Sequence, residues 1–469
     1  MNPRLFSGAS ASVVAAVRAA SASAGFTMRW ALRGKFAASV LAVLAVAVFA
    51  LPAQLRDEAT AAEQLRMILG WTPGAILVVL GAASLWAGCA SVPVEAEGKR
   101  FSTTRASPAP AFSIFAGRWL GLVAANAVML AMALFAVWAQ ARVKVPGSGD
   151  PDAVRALLSP SPGALESEAA RIRAWAAAPE SDPEREAAVM EAVRRDLRSD
   201  SLLPVPPGIE RRWLFDLPRN GAPRGLRVVF RCLSPYGSTQ GVAGLVEVRA
   251  GDSAEPLASL VTKPDDYGDA TLDVPPGAIG SARTVEVRFL NRELRGGPGA
   301  SALVGWLQSA RASVPAGGIA LNLLRAAPAL LAVLSLLSAL GVAAGCAFSF
   351  PVAAFVATAA VAMVLVSGTE AYNPDAAPDE VVHVHVHAHG RSADPTALDR
   401  AVEKAANRMG GALRRTLSPL ARAAALDRLG DCIAVDSAAS WMALAADGLA
   451  LPLVFGLVGA AALGRREFA

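Results

Sequence analysis

All the histidines of the chain, His383, His385, His387 and His389, alternate with Val384, Val386 and Ala388. In an extended segment alternation sends these imidazoles to one face, about 7 Å apart. Two or three side chains so placed can converge on a zinc or copper ion, with Asp379 or Glu380 as further donors. The same pattern also describes a plain polar–apolar strand or a biased loop, and no cysteine or remote histidine completes a ligand set. Cys89, Cys232, Cys346 and Cys432 are widely separated and form no CxxC pair, so neither a zinc cluster nor a disulfide framework is expected. Cys89 and Cys346 each follow small residues and a glycine as lipoprotein cysteines do, but both lie within apolar stretches deep in the chain.

Nucleotide chemistry is not written into this chain. There is no G-x-x-x-x-G-K-[ST], and of the two Gly-Lys pairs, Gly34-Lys35 is followed by Phe36 and Gly98-Lys99 by Arg100. The apolar stretches contain no histidine, no paired carboxylates and no nucleophile–base pair, so no catalytic residue is assigned. Among the polar groups within those stretches are Asn126 and Asp447. Polar residues at membrane depth mark pathways or hydrogen-bond between helices. Asp447 falls near one end of its stretch, where a surface position is the simpler reading. A further charged motif is Glu95, Glu97, Lys99 and Arg100, between the second and third stretches.

The elements around these residues are membrane spans. The chain is 54% hydrophobic yet 18% charged, with a mean hydropathy of +0.41. Such averages imply apolar spans alternating with a large water-exposed region. The net charge of +5 reflects basic cytoplasmic segments and does not imply nucleic acid.

Six stretches are long and apolar enough to be read as spans, at about 36–52, 71–92, 119–139, 326–348, 350–368 and 443–463. Arg4, Arg18, Arg29, Arg33 and Lys35 precede the first without an acidic residue, and Arg465 and Arg466 follow the last, with Glu467 after them. Both termini are therefore expected in the cytoplasm. A cleaved signal peptide is the rival reading of residues 1–55, disfavoured by the long basic segment. Between the fourth and fifth stretches, Pro351 marks a tight hairpin.

The domain plan follows: a cytoplasmic segment at 1–35, spans one to three at 36–139, and a cytoplasmic loop at 93–118. An extracytoplasmic insertion occupies 140–318, spans four and five occupy 319–368, an outer loop runs over 369–441, and the last span and tail over 442–469. Within the insertion, residues 150–200 carry helical patterning, including Ala153, Ala156 and Leu157, then Ala169, Ile172 and Trp175, then Ala188, Met190 and Val193. Residues 205–295 switch to short β-type runs around Trp213, 226–233, 244–250, 257–262, 270–274 and 284–290. The fold class predicted is thus a mainly α-helical polytopic protein of six spans, with an inserted α+β region containing a β-sandwich or jelly roll.

The first loop carries a resemblance. It reads Val94-Glu95-Ala96-Glu97-Gly98-Lys99-Arg100, then Pro108, then Gly117-Arg118 entering the third span. This resembles type-2, exporter-type permeases of ATP-binding-cassette transporters. In those, paired acids with a glycine follow span two, a proline comes later, and Gly-Lys opens span three. Arg118 stands in place of the usual lysine, no arginine follows Pro108, and the large insertion is absent from minimal members.

Residues 27–35 resemble that family's amphipathic entry helix, which lies along the inner membrane surface. Residues 464–468 resemble its Arg-Arg-Glu ending, and residues 417–451 its last external loop of short helices. The resemblance covers the membrane part.

The resemblance implies a transport subunit without enzymatic activity, a dimer with itself or a sister permease, in the lipid of a bacterial inner membrane. A separate ATPase subunit would hold ATP and magnesium. Glu95, Glu97, Gly98, Lys99, Arg100, Pro108 and Arg118 would form the loop that ATPase grips, with no cofactor in this chain itself. The alternative is a membrane-anchored sensor or binding protein that presents the β region outside; its cytoplasmic segments are too short for a signalling domain.

Overall fold

The computed structural model describes residues 4–33, 35–53, 61–94, 110–144, 153–176, 183–218, 222, 224–233, 242–251, 253, 255–262, 270–293, 301–307, 309–368 and 424–465. It divides into two compact units, residues 1–148 with 320–469, and the insertion at 149–319. The chain is mainly helical, and among the described residues its strands fall in the insertion.

Four helices precede the insertion: α1 (Arg4–Arg33), α2 (Lys35–Ala53), α3 (Ala61–Ala90) and α4 (Ala111–Lys144). The segments Gln64–Ala90 and Ala111–Lys144 are each long and apolar enough to cross a membrane. Helices α1 and α2 pass that test together, over Val14–Arg33 and Lys35–Ala50, with a 57° bend between them.

Helix α1 lies along α4 in the same direction. A Cβ on Gly117 would sit 2.6 Å from the carbonyl of Ala20, and one on Gly121 2.6 Å from that of Ala24. The G-x-x-x-G spacing of Gly117 and Gly121 is what allows this approach. Thr27 and Ala31, in the stretch expected to be an amphipathic surface helix, are buried.

The insertion opens with β1 (Val154–Leu157), then α5 (Ala164–Ala176), α6 (Pro183–Arg198), β2 (Leu203–Val205), β3 (Glu210–Asp216) and β4 (Leu226–Phe230). It continues with β5 (Gly244–Ala250), β6 (Pro256–Thr262), β7 (Ala270–Val274), β8 (Thr284–Asn291), β9 (Ala302–Val304) and β10 (Ala310–Gly317). Two four-stranded sheets, β1-β10-β4-β7 and β3-β8-β5-β6, and a β2-β9 ribbon result. Their pairings are antiparallel.

The alternation read from the sequence places Trp213 and Phe215 of β3, Phe230 of β4 and Phe289 of β8 in one core. The Phe230 and Phe289 rings stack across the two sheets at 4.8 Å, and Trp213 meets Phe230 edge-on at 5.8 Å. Trp213 Nε1 donates to the Trp306 carbonyl at 2.9 Å, so the indole is buried without an orphaned N–H.

The β region is larger than the sequence predicts. Residues 154–157, expected to be helical, form an edge strand, and β10 lies between β1 and β4. The first sheet therefore closes only with strands outside 205–295. The helical expectations around Ala169 and Met190 correspond to α5 and α6.

After the insertion come α7 (Ile319–Ala347), α8 (Phe350–Gly368), α9 (Ala424–Gly430), α10 (Ser437–Ala445), a π-helical turn (Ala446–Ala450) and α11 (Leu451–Arg465). Ile319–Ala347 and Ser437–Arg465 are apolar enough to span, while Phe350–Leu365 is a shorter apolar helix. Among the described residues, four helices thus qualify as spans singly, five if the bent pair is one span. Helices α7 and α8 share clusters that pair Leu337 with Ala353 and Ala357, and Leu336 with Val364. Helix α8 begins after a break of two residues from the end of α7, with Pro351 in its first turn.

Candidate functional site

The polar interior of the helical unit is built by residues that each helix presents to its neighbours. Asn126 sits near the middle of α4 and is buried. Its Nδ2 donates to Ser338 Oγ of α7 at 3.1 Å, and its Oδ1 lies 2.9 Å from Ser84 Oγ of α3. Ser84 is also 2.5 Å from the Leu80 carbonyl, so its single hydroxyl hydrogen is shared between two acceptors. Ser338 donates to the Leu334 carbonyl at 2.7 Å. One asparagine therefore ties three helices through neutral hydrogen bonds.

A second brace lies one turn away on α7. Trp119 of α4 donates its indole N–H to Ser335 Oγ at 3.0 Å, and Ser335 Oγ donates to the Gly448 carbonyl at 2.6 Å. This relay ends in the π-helical turn that contains Asp447, which is half-buried. Asn322, at the start of α7, donates to the Ile433 carbonyl at 2.9 Å and accepts from the Val435 N–H at 2.7 Å. It fixes the segment that leads into α10, where Asp436 caps the helix by accepting from the Ala438 N–H at 2.9 Å.

Small residues bring these helices close enough for such short bonds. A Cβ on Gly88 of α3 would lie 2.9 Å from the Ser338 carbonyl, and one on Gly345 of α7 2.7 Å from the Cys89 carbonyl. Gly341 meets the Leu85 carbonyl more tightly still. Gly341 and Gly345 form a second G-x-x-x-G pair.

Residues 111–118, expected to close the loop, are already helical, so Arg118 lies two turns inside α4; it is buried and donates through Nη1 to the carbonyl of Ser91, just beyond α3. It therefore clamps the base of the 93–118 loop and is not presented at its tip. Glu95, Glu97, Gly98, Lys99, Arg100 and Pro108 lie outside the described residues, as do Arg466, Glu467 and the four histidines. Arg465 closes α11 and is exposed.

The insertion carries a different kind of polar site. A cleft of about 410 Å³ is lined by Glu168, Arg171, Val205, Ile209, Glu210 and Arg211. Glu168 of α5 and Arg211 of β3 are both buried and meet at 3.2 Å. Arg171, one turn after Glu168, reaches Glu168 and Glu210 at 3.2 Å each. Burial pushes the Glu168 carboxyl up from its ordinary value, against the pull of Arg211 and Arg171. Burial likewise lowers Arg211, so desolvation drives both partners toward their neutral forms. Burial also works against ionisation of Glu210, but the hydrogen bond and charge of Arg212, with Arg171 and Arg288, outweigh it and hold that carboxyl below the usual range.

The same side chains close the open edge of β3. Glu168 accepts the Arg212 backbone N–H, and Arg171 Nη2 donates to the Glu210 carbonyl at 3.4 Å. A carboxylate and a guanidinium thus take the places of a neighbouring strand's acceptor and donor.

Sequence reasoning found Asn126 and Asp447. It passed over Ser84, Ser335, Ser338 and Trp119, and over the charged cleft. One signal was available: Pro452 has no N–H to give the carbonyl four residues back, that of Gly448. No family model matches the chain, and neither a curated protein nor a solved structure matches it.

Proposed function

We propose that the chain is the membrane-spanning subunit of an ATP-driven, exporter-type ATP-binding-cassette transporter, in a bacterial inner membrane. The bent α1–α2 pair, α3, α4, α7, α8 and the α10–α11 element are its six spans, with both termini in the cytoplasm. The insertion is an extracytoplasmic β-sandwich-like domain. A dimer of this chain, or of it and a sister permease, encloses the path. A separate subunit binds ATP and magnesium and grips the 93–118 loop.

The observation that carries this reading is the loop's mounting. Its ends leave α3 and enter α4, and Arg118 ties the two together at Ser91. Through Asn126 those helices are bonded to α7, so a displacement of the loop is transmitted into the bundle as a unit. Glu95, Glu97, Lys99 and Arg100 supply charges for an ATPase cleft, and Arg118 supplies the anchorage.

Co-purification tests this. An interfacial charge pair that loses one partner costs about 2–5 kcal/mol, which is roughly 30-fold or more in affinity. The Glu95→Lys, Glu97→Lys variant is therefore expected to lose the ATPase subunit while keeping its own fold. Full recovery of the ATPase with that variant would refute the contact.

The 410 Å³ cleft with its buried Glu168–Arg211 pair favours a second reading, an anchored receptor or sensor whose insertion binds a ligand. That reading requires no ATPase, and the same purification separates the two.

A further inference from the structure

The last span is not a regular helix. Leu451 donates its N–H to the Ala446 carbonyl, five residues back, so the helix widens to π geometry over Ala446–Ala450. Pro452 follows at once. Its ring offers no N–H to the carbonyl of Gly448, which in a continuous α-helix would accept from it. In hydrocarbon that carbonyl requires another donor, and Ser335 of α7 supplies one at 2.6 Å.

Two further features mark this turn. Gly448 lies against Ala332, where a Cβ would come within 2.9 Å of the Ala332 Cα, so the bulge is seated on α7 at one point. Beyond the turn, α11 touches its neighbours along one narrow stripe, Gly456 and Gly459 against Phe115 and Ala343, and only 22% of the apolar window of Ser437–Arg465 is buried, against 83% for Ile319–Ala347. Asn322 holds the chain just before α10 and Ser335 holds the bulge, while Leu453, Val454, Leu457 and Val458 of α11 are exposed.

We propose that residues 446–452 are a hinge in the last helix and that the Ser335 hydroxyl is its latch. When Ser335 donates to Gly448, α11 is held in line on α7. When that bond opens, α11 swings about the π turn while Asn322 keeps α10 in place. Trp119 acts through Ser335, since its indole N–H polarises and orients the hydroxyl that donates. Ser335 is thus a positioning residue for the movement of one span, a role that goes beyond attachment of an ATPase and does not depend on it.

Hydrogen–deuterium exchange of the full chain in lipid nanodiscs, followed by mass spectrometry, tests the latch without any partner. Ser335→Ala is expected to speed exchange over residues 446–456 by several-fold, up to about tenfold. Residues 437–445 and α7 should stay unchanged. Pro452→Ala restores a helix donor for Gly448, so it should slow exchange over the same residues. In that background Ser335→Ala should then have no effect.

Three results would overturn the proposal. Exchange that rises uniformly through α4, α7 and α11 in Ser335→Ala would make Ser335 a static brace. Unchanged exchange over 446–456 would mean that it latches nothing. A double variant that still responds to Ser335→Ala would show that the Gly448 carbonyl is not what Ser335 holds.

Discussion

The helical unit and the insertion bury polar groups in opposite ways. In the helical unit the bonds that cross between helices come from Asn126, Ser84, Ser338, Ser335 and Trp119, all neutral. Among the described residues its one buried charged side chain is Arg118, at the base of a loop. The insertion instead buries Glu168, Arg173 and Arg211, and links Arg212 and Arg288 to Glu286 along one sheet. A charge removed from both water and a partner is far costlier than a hydroxyl that keeps an acceptor. Neutral bracing suits a unit surrounded by hydrocarbon, and ion-paired networks suit one whose surface is wet. The difference is a physical argument for putting one unit in the bilayer and the other in water.

The largest test of the contrast concerns where the insertion begins and ends. A fragment covering 149–319 contains both sheets complete and should melt cooperatively with a β-type circular dichroism spectrum. A fragment trimmed to 203–298 lacks β1 and β10, leaves β4 and β7 as a two-stranded remnant, and should show no cooperative transition. Equal melting of the two would remove β10 from the core of the account.

Next in size is the buried pair. Arg211→Ala leaves Glu168 without its buried cation and should cost the isolated insertion about 3–5 kcal/mol, read from the denaturant midpoint. Glu168 also sets a sign for pH. Its folded carboxyl lies above its ordinary 4.5, so the folded unit holds that proton more tightly than the unfolded chain. Its contribution is complete below 4.5 and is lost as pH rises through the elevated folded value. Glu210, held low, contributes in the opposite sense: its part is present above the ordinary carboxylate value and lost as pH falls through its folded one. Comparing Glu168→Gln with the parent insertion as pH rises from 4.5 should show a flatter stability curve for the variant. Parallel curves would mean that Glu168 is not perturbed.

In the helical unit the effects should be smaller and steric before they are polar. Gly341→Val places a branched side chain against the Leu85 carbonyl and should lower stability in detergent by about 1–3 kcal/mol. Asn126→Ala should cost only about 0.6 kcal/mol. Ser84 and Ser338 retain their own helix carbonyls, Leu80 and Leu334, as acceptors. An Asn126 variant that loses as much as the Arg211 variant of the insertion would remove the contrast between the units.

Much of this was legible in the chain. The runs at 244–250 and 270–274 are strands with the bounds read from alternation, and Thr284–Asn291 extends its run by one residue. The strands that escaped notice share a cause. β10, Ala310–Gly317, is made largely of Ala, Ser, Pro and Gly, residues of weak β propensity. β1 is a four-residue segment whose partner lies far along the chain, so its Ala-rich stretch was read as helix. Such pairings leave no local period to detect.

At the candidate site, Asn126 stood out because amides are rare in apolar spans. Ser335 and Ser338 did not, because serine is unremarkable among Ala and Leu and gains meaning only from what it faces. Arg118 was read as the last residue of a loop, whereas it lies two turns inside α4, and sequence alone could not tell a buried clamp from an exposed contact.

Sidedness is the most direct test of the account, because an ATPase can grip the 93–118 loop only from the cytoplasm. Single cysteines at Lys99 and at Arg224, in a background with the four native cysteines replaced, are to be labelled in intact cells with an impermeant maleimide. The account predicts labelling at position 224 in intact cells and at position 99 only after the membrane is opened. Labelling of both positions from the same side would contradict it.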